Sequence, residues 1–344
     1  MSGRFRRAVV TGGTGFLSRR LCQHLLERET DVVCMAGLVT EGPTGIAVPR
    51  GGPRLEFRLT AVTEPFDVPG EVDLVVHLRS PAAAADYPRY PLEALDRGSV
   101  GTRNALVLAA RKGARFVLAS ATETHGDPWV SASPGDSPGP LDAAGPRNAF
   151  DEATRYAETL TSAYQREGVA STAIARVFNS YGSGMRPDDG RMLVTLASQA
   201  LRGEPVTLIG GADLVTSLCH ADDTVRGLLL LADSDIGGPL NIGSPRDITL
   251  GEIASRIIAL TGSSSDIRSV PLPPDEPATR KPDVTFAQLT LGFEPRVPLD
   301  EGLAETLDWF RRGIAAEPAA RPREEGPAAC WLLDQAAELA AWQR

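Results

Sequence analysis

Residues 8–18 read AVVTGGTGFLS, and their types and spacing suit the binding of a dinucleotide diphosphate. A short β-branched run ends at Thr11, a glycine turn follows, and an amphipathic segment runs from about Phe16 to Glu29. Gly12 permits the tight turn, and Gly15 lets a pyrophosphate approach the backbone at a helix N-terminus. The candidate cofactor contacts are therefore Gly12, Gly15, Phe16 and Leu17. The third glycine position holds Ser18, small enough to keep the helix close. The competing reading is a structural turn whose ligand has been lost. A carboxylate for the adenosine ribose is expected about 20 residues on. That place falls at Ala36, within DVVCMAGLVTEG; Gly37 and Leu38 do not replace it, and no arginine follows to suit a 2′-phosphate.

The elements that position this loop alternate between strand and helix. Asp31–Met35, Leu55–Leu59 and Leu74–His77 read as strands, and Leu92–Lys112 as a long helix before strand Phe116–Ala119. NAFDEATRYAETL (148–160) opens a further helix: apolar Ala149, Phe150, Ala153, Ala157 and Leu160 recur near helical spacing, with Asp151 and Glu152 in the first turn. Strand Thr172–Val177 follows it. This order predicts an α/β fold, a Rossmann-like, doubly wound parallel sheet with a smaller C-terminal substrate lobe. The expected division is a dinucleotide-binding domain over 1–175 with later segments returning to it, a substrate lobe mainly over 176–314, and a linker and C-terminal helix over 315–344.

Composition excludes several partners. The chain has 344 residues, 42% of them hydrophobic, and a net charge of −9. An acidic chain is a poor match for nucleic acid or an anionic membrane surface. No apolar run approaches the ~18 residues of a membrane span, and the apolar run at the N-terminus is too short for a signal peptide. A cytoplasmic location is expected. Cys22, Cys34, Cys219 and Cys330 show no CxxC spacing, and His24, His77, His125 and His220 show no ligand spacing, so no metal is expected.

VTGGTGFL, HLRSPAAAADYP, GARFVLASATETHGDP, GPRNAFDEATRYAETL, IARVFNSYGSGMRPDDGR, GPLNIGSP and TRKPDV occur in this order. Together they resemble the extended short-chain dehydrogenase/reductases, within the NAD-dependent nucleotide-sugar epimerases and dehydratases, and most nearly the UDP-glucuronate decarboxylase branch. The resemblance covers about residues 6–312. It implies a Ser/Thr, a Tyr and a Lys that move protons during hydride transfer. Those places hold Ala121, Phe150 and Thr154. The implied adenosine-ribose carboxylate is Ala36, an implied asparagine is Gly98, an implied phosphate-gripping arginine is Thr216, and a second implied arginine is Gly184. Thr122 and Glu123 match the branch's Ser-Glu pair, and Arg280 its carboxylate-binding arginine. Asn179, Arg191 and Asp223 also match, with Asn179 and Arg191 as candidate substrate contacts. His125 and His220 stand where the branch has tyrosines.

Three functions follow. The first is a divergent homologue that shifts protons on a sugar-like or carboxylate ligand without net redox, with Thr122, Glu123, His125 and Arg280 as its catalytic candidates. The second is a catalytically inactive binding or partner subunit, and the third an NAD-dependent decarboxylase-like enzyme. The substitutions predict weak or absent NAD binding. The resemblance also implies a homodimer built on the helices of Leu92–Lys112 and Asn148–Glu167, with Leu106, Leu160 and Tyr164 as outward contacts.

Overall fold

A computed structural model describes residues 4–13, 15–36, 52–78, 90–122, 148–187, 189–272 and 281–316. Strands β1 (Arg7–Thr11), β2 (Asp31–Ala36), β3 (Leu55–Leu59) and β4 (Leu74–Leu78) alternate with helix α1 (Phe16–Glu27), followed by α2 (Pro91–Asp96) and α3 (Thr102–Lys112). Then come β5 (Arg115–Ala121), α4 (Asn148–Arg166), β6 (Thr172–Val177) and β7 (Ser180–Tyr181). The remainder comprises α5 (Met192–Arg202), β8 (Val206–Ile209), β9 (Val215–Thr216), β10 (Cys219–His220), α6 (Ala221–Asp233), β11 (Leu240–Ile242), β12 (Ile248–Thr249), α7 (Leu250–Thr261), β13 (Ile267–Val270), α8 (Thr285–Leu291) and α9 (Leu299–Ala316).

Seven strands form one parallel sheet in the order β11-β6-β5-β4-β1-β2-β3. β1 lies inside it, and the chain winds outward from there in both directions. Alternate residues of β1 face opposite cores: Ala8 and Val10 pack with α1 and α6, whereas Val9 packs with α3 and Ala157 of α4. Burial on both faces explains why the inner strands β1, β2 and β4 are largely continuous apolar runs, whereas edge strand β3, LEFRL, is only partly buried. A third core joins α5, α7, α9 and β8, and Phe16, the first residue of α1, plugs into it. Part of the chain beyond 176 returns to the sheet as β11.

Two expectations are corrected. The helix expected over 92–112 is not one regular helix: a π-helical turn at Arg97–Gly101 separates α2 from α3. Leu106 is 0% exposed inside the chain's own core, and Leu160 and Tyr164 pack against that same core. Leu106 therefore offers nothing to a second copy. The exposed large apolar residues on these helices are Leu92, Leu95 and Tyr156. The linker and C-terminal helix, past Ala316, lie outside the described residues.

Candidate functional site

The glycine loop lies at the C-terminal edge of β1. Gly12 has φ +71°, and a Cβ there would fall 2.1 Å from the carbonyl oxygen of Leu78, so the end of β4 passes directly beneath the turn. Gly13 N–H donates to Met35 O at 2.8 Å, tying the loop to β2. α1 starts from Gly15 without a side-chain cap. A Cβ at Gly15 would meet no protein atom closer than 3.5 Å. Glycine at 15 is thus not imposed by the interior; the room lies on the open side, where an approaching diphosphate would need it. With first-turn N–H groups and the positive helix end aimed there, Gly12, Gly15, Phe16 and Leu17 form a cradle that fits a dinucleotide diphosphate. A buried chain braces it: Thr11 Oγ1 lies 2.7 Å from His77 Nδ1, and His77 Nε2 3.2 Å from Thr102 Oγ1. At the end of β2, Ala36 is buried and brings no ribose acceptor.

Phe150 and Thr154 sit on the inner face of α4. Phe150 is buried, and Thr154, also buried, donates its hydroxyl to Phe150 O at 2.7 Å. That back-bond turns the Thr154 hydroxyl onto its own helix. Tyr156 is half exposed, away from Phe150. Ala121 ends β5 opposite Val177 of β6. Gly98, in the π turn, meets α4 so closely that a Cβ would lie 2.5 Å from Ala153 Cβ and 2.7 Å from Ala153 O. An asparagine cannot stand there with α4 in this place.

The candidate substrate contacts bond to the protein itself. Asn179, at φ 26°, donates Nδ2–H to Thr216 Oγ1 at 3.1 Å. Arg191 grips buried Asp189, with Nε at 2.8 Å from Oδ2, and its guanidinium lies 4.7 Å from the Phe16 ring centroid. Asp223 accepts from the backbone N–H groups of Arg296 and Val297 at 2.9 and 3.0 Å, so it pins the segment before α9. Thr122 follows β5 and is half-buried. Glu123, His125 and Arg280 lie outside the described residues.

Two polar networks were not visible as motifs. Glu158 of α4 is buried and accepts from Arg176 Nε (2.9 Å) and Nη2 (2.8 Å) and from Ser120 Oγ (2.5 Å). The partners lie on α4, β6 and β5, so no local spacing announces them; the only signal was a glutamate and an arginine on faces otherwise apolar. The second network centres on His220, which is 2% exposed. Its Nδ1 lies 3.5 Å from Asp222 Oδ2 and its Nε2 3.5 Å from Glu305 Oε2. Burial lowers the His220 pKa against the raising pull of Asp222 and Glu305. These three residues have the donor types of a metal site and lie within reach of one another, which sequence spacing could not show. Arg20, however, already donates to both carboxylates.

The comparisons with known proteins decide the family. Residues 8–243 match the model of the NAD dependent epimerase/dehydratase family. The chain belongs to that family. UDP-glucuronic acid decarboxylase 1 of Danio rerio is 37% identical over 309 residues, 90% of this chain and 73% of that protein. UDP-glucuronic acid decarboxylase 5 of Arabidopsis thaliana is 39% identical over 306 residues, 89% of each chain. A tyrosine-to-phenylalanine mutant of UDP-glucuronic acid 4-epimerase from Bacillus cereus, solved with UDP-4-deoxy-4-fluoro-glucuronic acid and NAD, superposes with a TM-score of 0.76 at 23% identity, covering 89% of this chain and 99% of that one. The fold expected from the sequence is thus the fold of this epimerase/dehydratase family. No helix among the described residues is long and apolar enough to cross a membrane.

Proposed function

We propose that this protein binds NAD and a nucleotide sugar of the uronic-acid class, and that α4 withholds the proton acceptor needed for hydride transfer. The observation that carries the binding half is the 36–39% identity to UDP-glucuronic acid decarboxylases over about nine-tenths of the chain. The cradle at Gly12, Gly15, Phe16 and Leu17 would hold the NAD diphosphate, and bound NAD supplies a hydride acceptor. Ala36 and Gly98 remove polar contacts to the cofactor, so its affinity falls below that of an intact relative. The charged hydrogen bond lost at Ala36 is worth ~1.5–3 kcal/mol, and the neutral one lost at Gly98 ~0.5–1.5 kcal/mol.

The chemical half rests on Phe150 and Thr154. Oxidising a sugar carbinol requires a base for its hydroxyl proton, and loss of that help costs ~10²–10⁴ in rate. Phe150 has no lone pair for that proton, and Thr154 brings no positive charge. Thr122, Glu123, His125 and Arg280 suit different chemistry, with Arg280 holding a carboxylate and Glu123 or His125 shifting a proton. The same homologies support a second reading, an NAD-dependent decarboxylase in which another group replaces the tyrosine. The phenylalanine mutant of the Bacillus cereus neighbour, solved with NAD and a UDP-sugar, is consistent with binding that outlasts the loss of a tyrosine hydroxyl. The test incubates the protein with NAD and UDP-glucuronate, measuring binding by calorimetry, NADH absorbance and evolved CO₂. The expected result is binding without turnover. Turnover would establish the second reading; absence of binding would leave a partner subunit.

A further inference from the structure

Arg19, one helical turn beyond Phe16, stands apart from the cations around it. Arg20 donates to Asp222 and Glu305, and Arg191 to Asp189. Arg19 has no carboxylate partner among the described residues. Its Cζ lies 5.5 Å from the Trp309 ring centroid, and the Trp309 Nε1–H donates to Met185 O at 2.9 Å. The guanidinium is therefore held on an anchored aromatic face rather than swinging in solvent. Burial, and next the charge of Arg20, lower its pKa, the mark of a cation short of a counter-charge.

Its guanidinium lies beside Gly184. That residue has φ +98°, and a Cβ there would lie 3.5 Å from Arg19 Nη1 and 3.3 Å from Phe16 Cβ. The guanidinium therefore lies within contact range of the backbone at 184, beside Phe16. Helical side chains lean toward the N-terminus, so Arg19 reaches back over the Phe16 turn, beside the uncapped start of α1. Thr216, where the resemblance implies a phosphate-gripping arginine, offers only a hydroxyl, and that hydroxyl accepts from Asn179.

From this we propose that Arg19 is the cation that binds the diphosphate of the nucleotide ligand, so that charge for the phosphates comes from α1. The inference rests on the nucleotide-binding reading above. Two ligands carry the same chemistry, the sugar nucleotide and NAD, and separate titrations distinguish them.

The experiment titrates wild type, Arg19→Lys and Arg19→Ala with UDP-glucuronate, NAD and inorganic pyrophosphate, at low and high salt. All three proteins are checked for equal thermal stability. The expected result is that Arg19→Ala weakens one of the two nucleotides by about 10- to 100-fold. Arg19→Lys should fall between, and the alanine variant should lose part of the salt dependence. Equal affinities in all three proteins would overturn the assignment. If wild type bound neither nucleotide, the nucleotide-binding reading would fail separately. Pyrophosphate would then decide: binding lost in Arg19→Ala retains the anion site, and its absence in wild type removes it.

Discussion

Gly98 and Ala153 touch backbone to backbone across the π turn and α4: a Cβ at 98 would fall 2.7 Å from the Ala153 carbonyl oxygen. The replacement of a polar residue at 98 is thus tied to where α4 runs. Gly98→Ala and Gly98→Asn should both destabilise, by about 1–3 kcal/mol for the overpacking, with asparagine the worse. Thermal denaturation reads this directly. An asparagine variant as stable as wild type would show that α4 can retreat.

The same proximity limits any attempt to rebuild hydride chemistry. Phe150→Tyr adds one hydroxyl to a ring 5% exposed and should be tolerated. Thr154→Lys places an ammonium where the side chain is now 0% exposed. An uncompensated buried charge costs about 3–5 kcal/mol, so this variant should lose far more stability than Phe150→Tyr. Denaturant midpoints of both single variants check the order. If the double variant were stable and evolved CO₂ from UDP-glucuronate, the pocket would still fit the sugar nucleotide and only proton transfer would have been lost.

Glu158 should matter for folding rather than chemistry. Both its oxygens are used by Arg176, one also by Ser120, and the group is buried between α4 and the sheet. Glu158→Ala removes the carboxylate that accepts from Nε and Nη2 of the buried Arg176, and breaking such a buried pair costs about 3–5 kcal/mol. Glu158→Gln keeps an acceptor and should cost less. Chemical denaturation of the two variants gives the comparison, and a neutral alanine variant would mean that water takes the carboxylate's place.

Much of the sheet was legible because burial on both faces writes itself as apolar runs. Val9–Thr11 falls within such a strand; Leu55–Leu59 coincides with β3, an edge strand that is only partly buried. The π turn was not legible, since RGSVG breaks no periodicity that an ordinary helical turn would keep. Leu106 was misplaced because one helix shows two apolar faces, and only packing tells which meets the sheet. At the site, the glycine loop was legible because its chemistry is local in sequence. The Gly98–Ala153 contact and the Glu158 and His220 networks were not, because each is assembled from segments far apart in the chain.

His220 makes stability depend on pH. Burial holds its pKa below the ordinary 6.5 and outweighs the pull of Asp222 and Glu305. The unfolded chain therefore takes up a proton near 6.5 that the folded chain refuses. Stability supplied by this group is full above about 6.5 and declines as pH falls below it. Burial pushes the Asp222 pKa up, but the hydrogen bond from His24 and the charge of Arg20 outweigh it and hold it low, so this group adds a loss only at more acid pH. The His220→Gln variant should lose the upper part of this slope. Denaturant unfolding at a series of pH values measures it, and an unchanged slope in the variant would place its origin elsewhere.

The last prediction concerns a second copy of the chain. With Leu106 inside the core, the apolar material left on α2 and α4 is Leu92, Leu95 and Tyr156, which are 71, 38 and 50% exposed. Leu92 and Leu95 are three apart on α2 and share a face, and α2 packs along α4. Exposed large apolar side chains gathered on two neighbouring helices mark a contact surface better than any one of them alone. A homodimer through this face is expected, with the same patch presented by both copies. Light scattering at micromolar concentration should give twice the chain mass. Leu92→Glu with Tyr156→Glu should halve it while the circular dichroism spectrum stays unchanged, since both side chains already face outward. Leu106→Ala should do the reverse, costing about 2–5 kcal/mol of stability through its cavity without targeting the interface. A monomeric wild type, or a dimer indifferent to both glutamates, would remove this face from consideration.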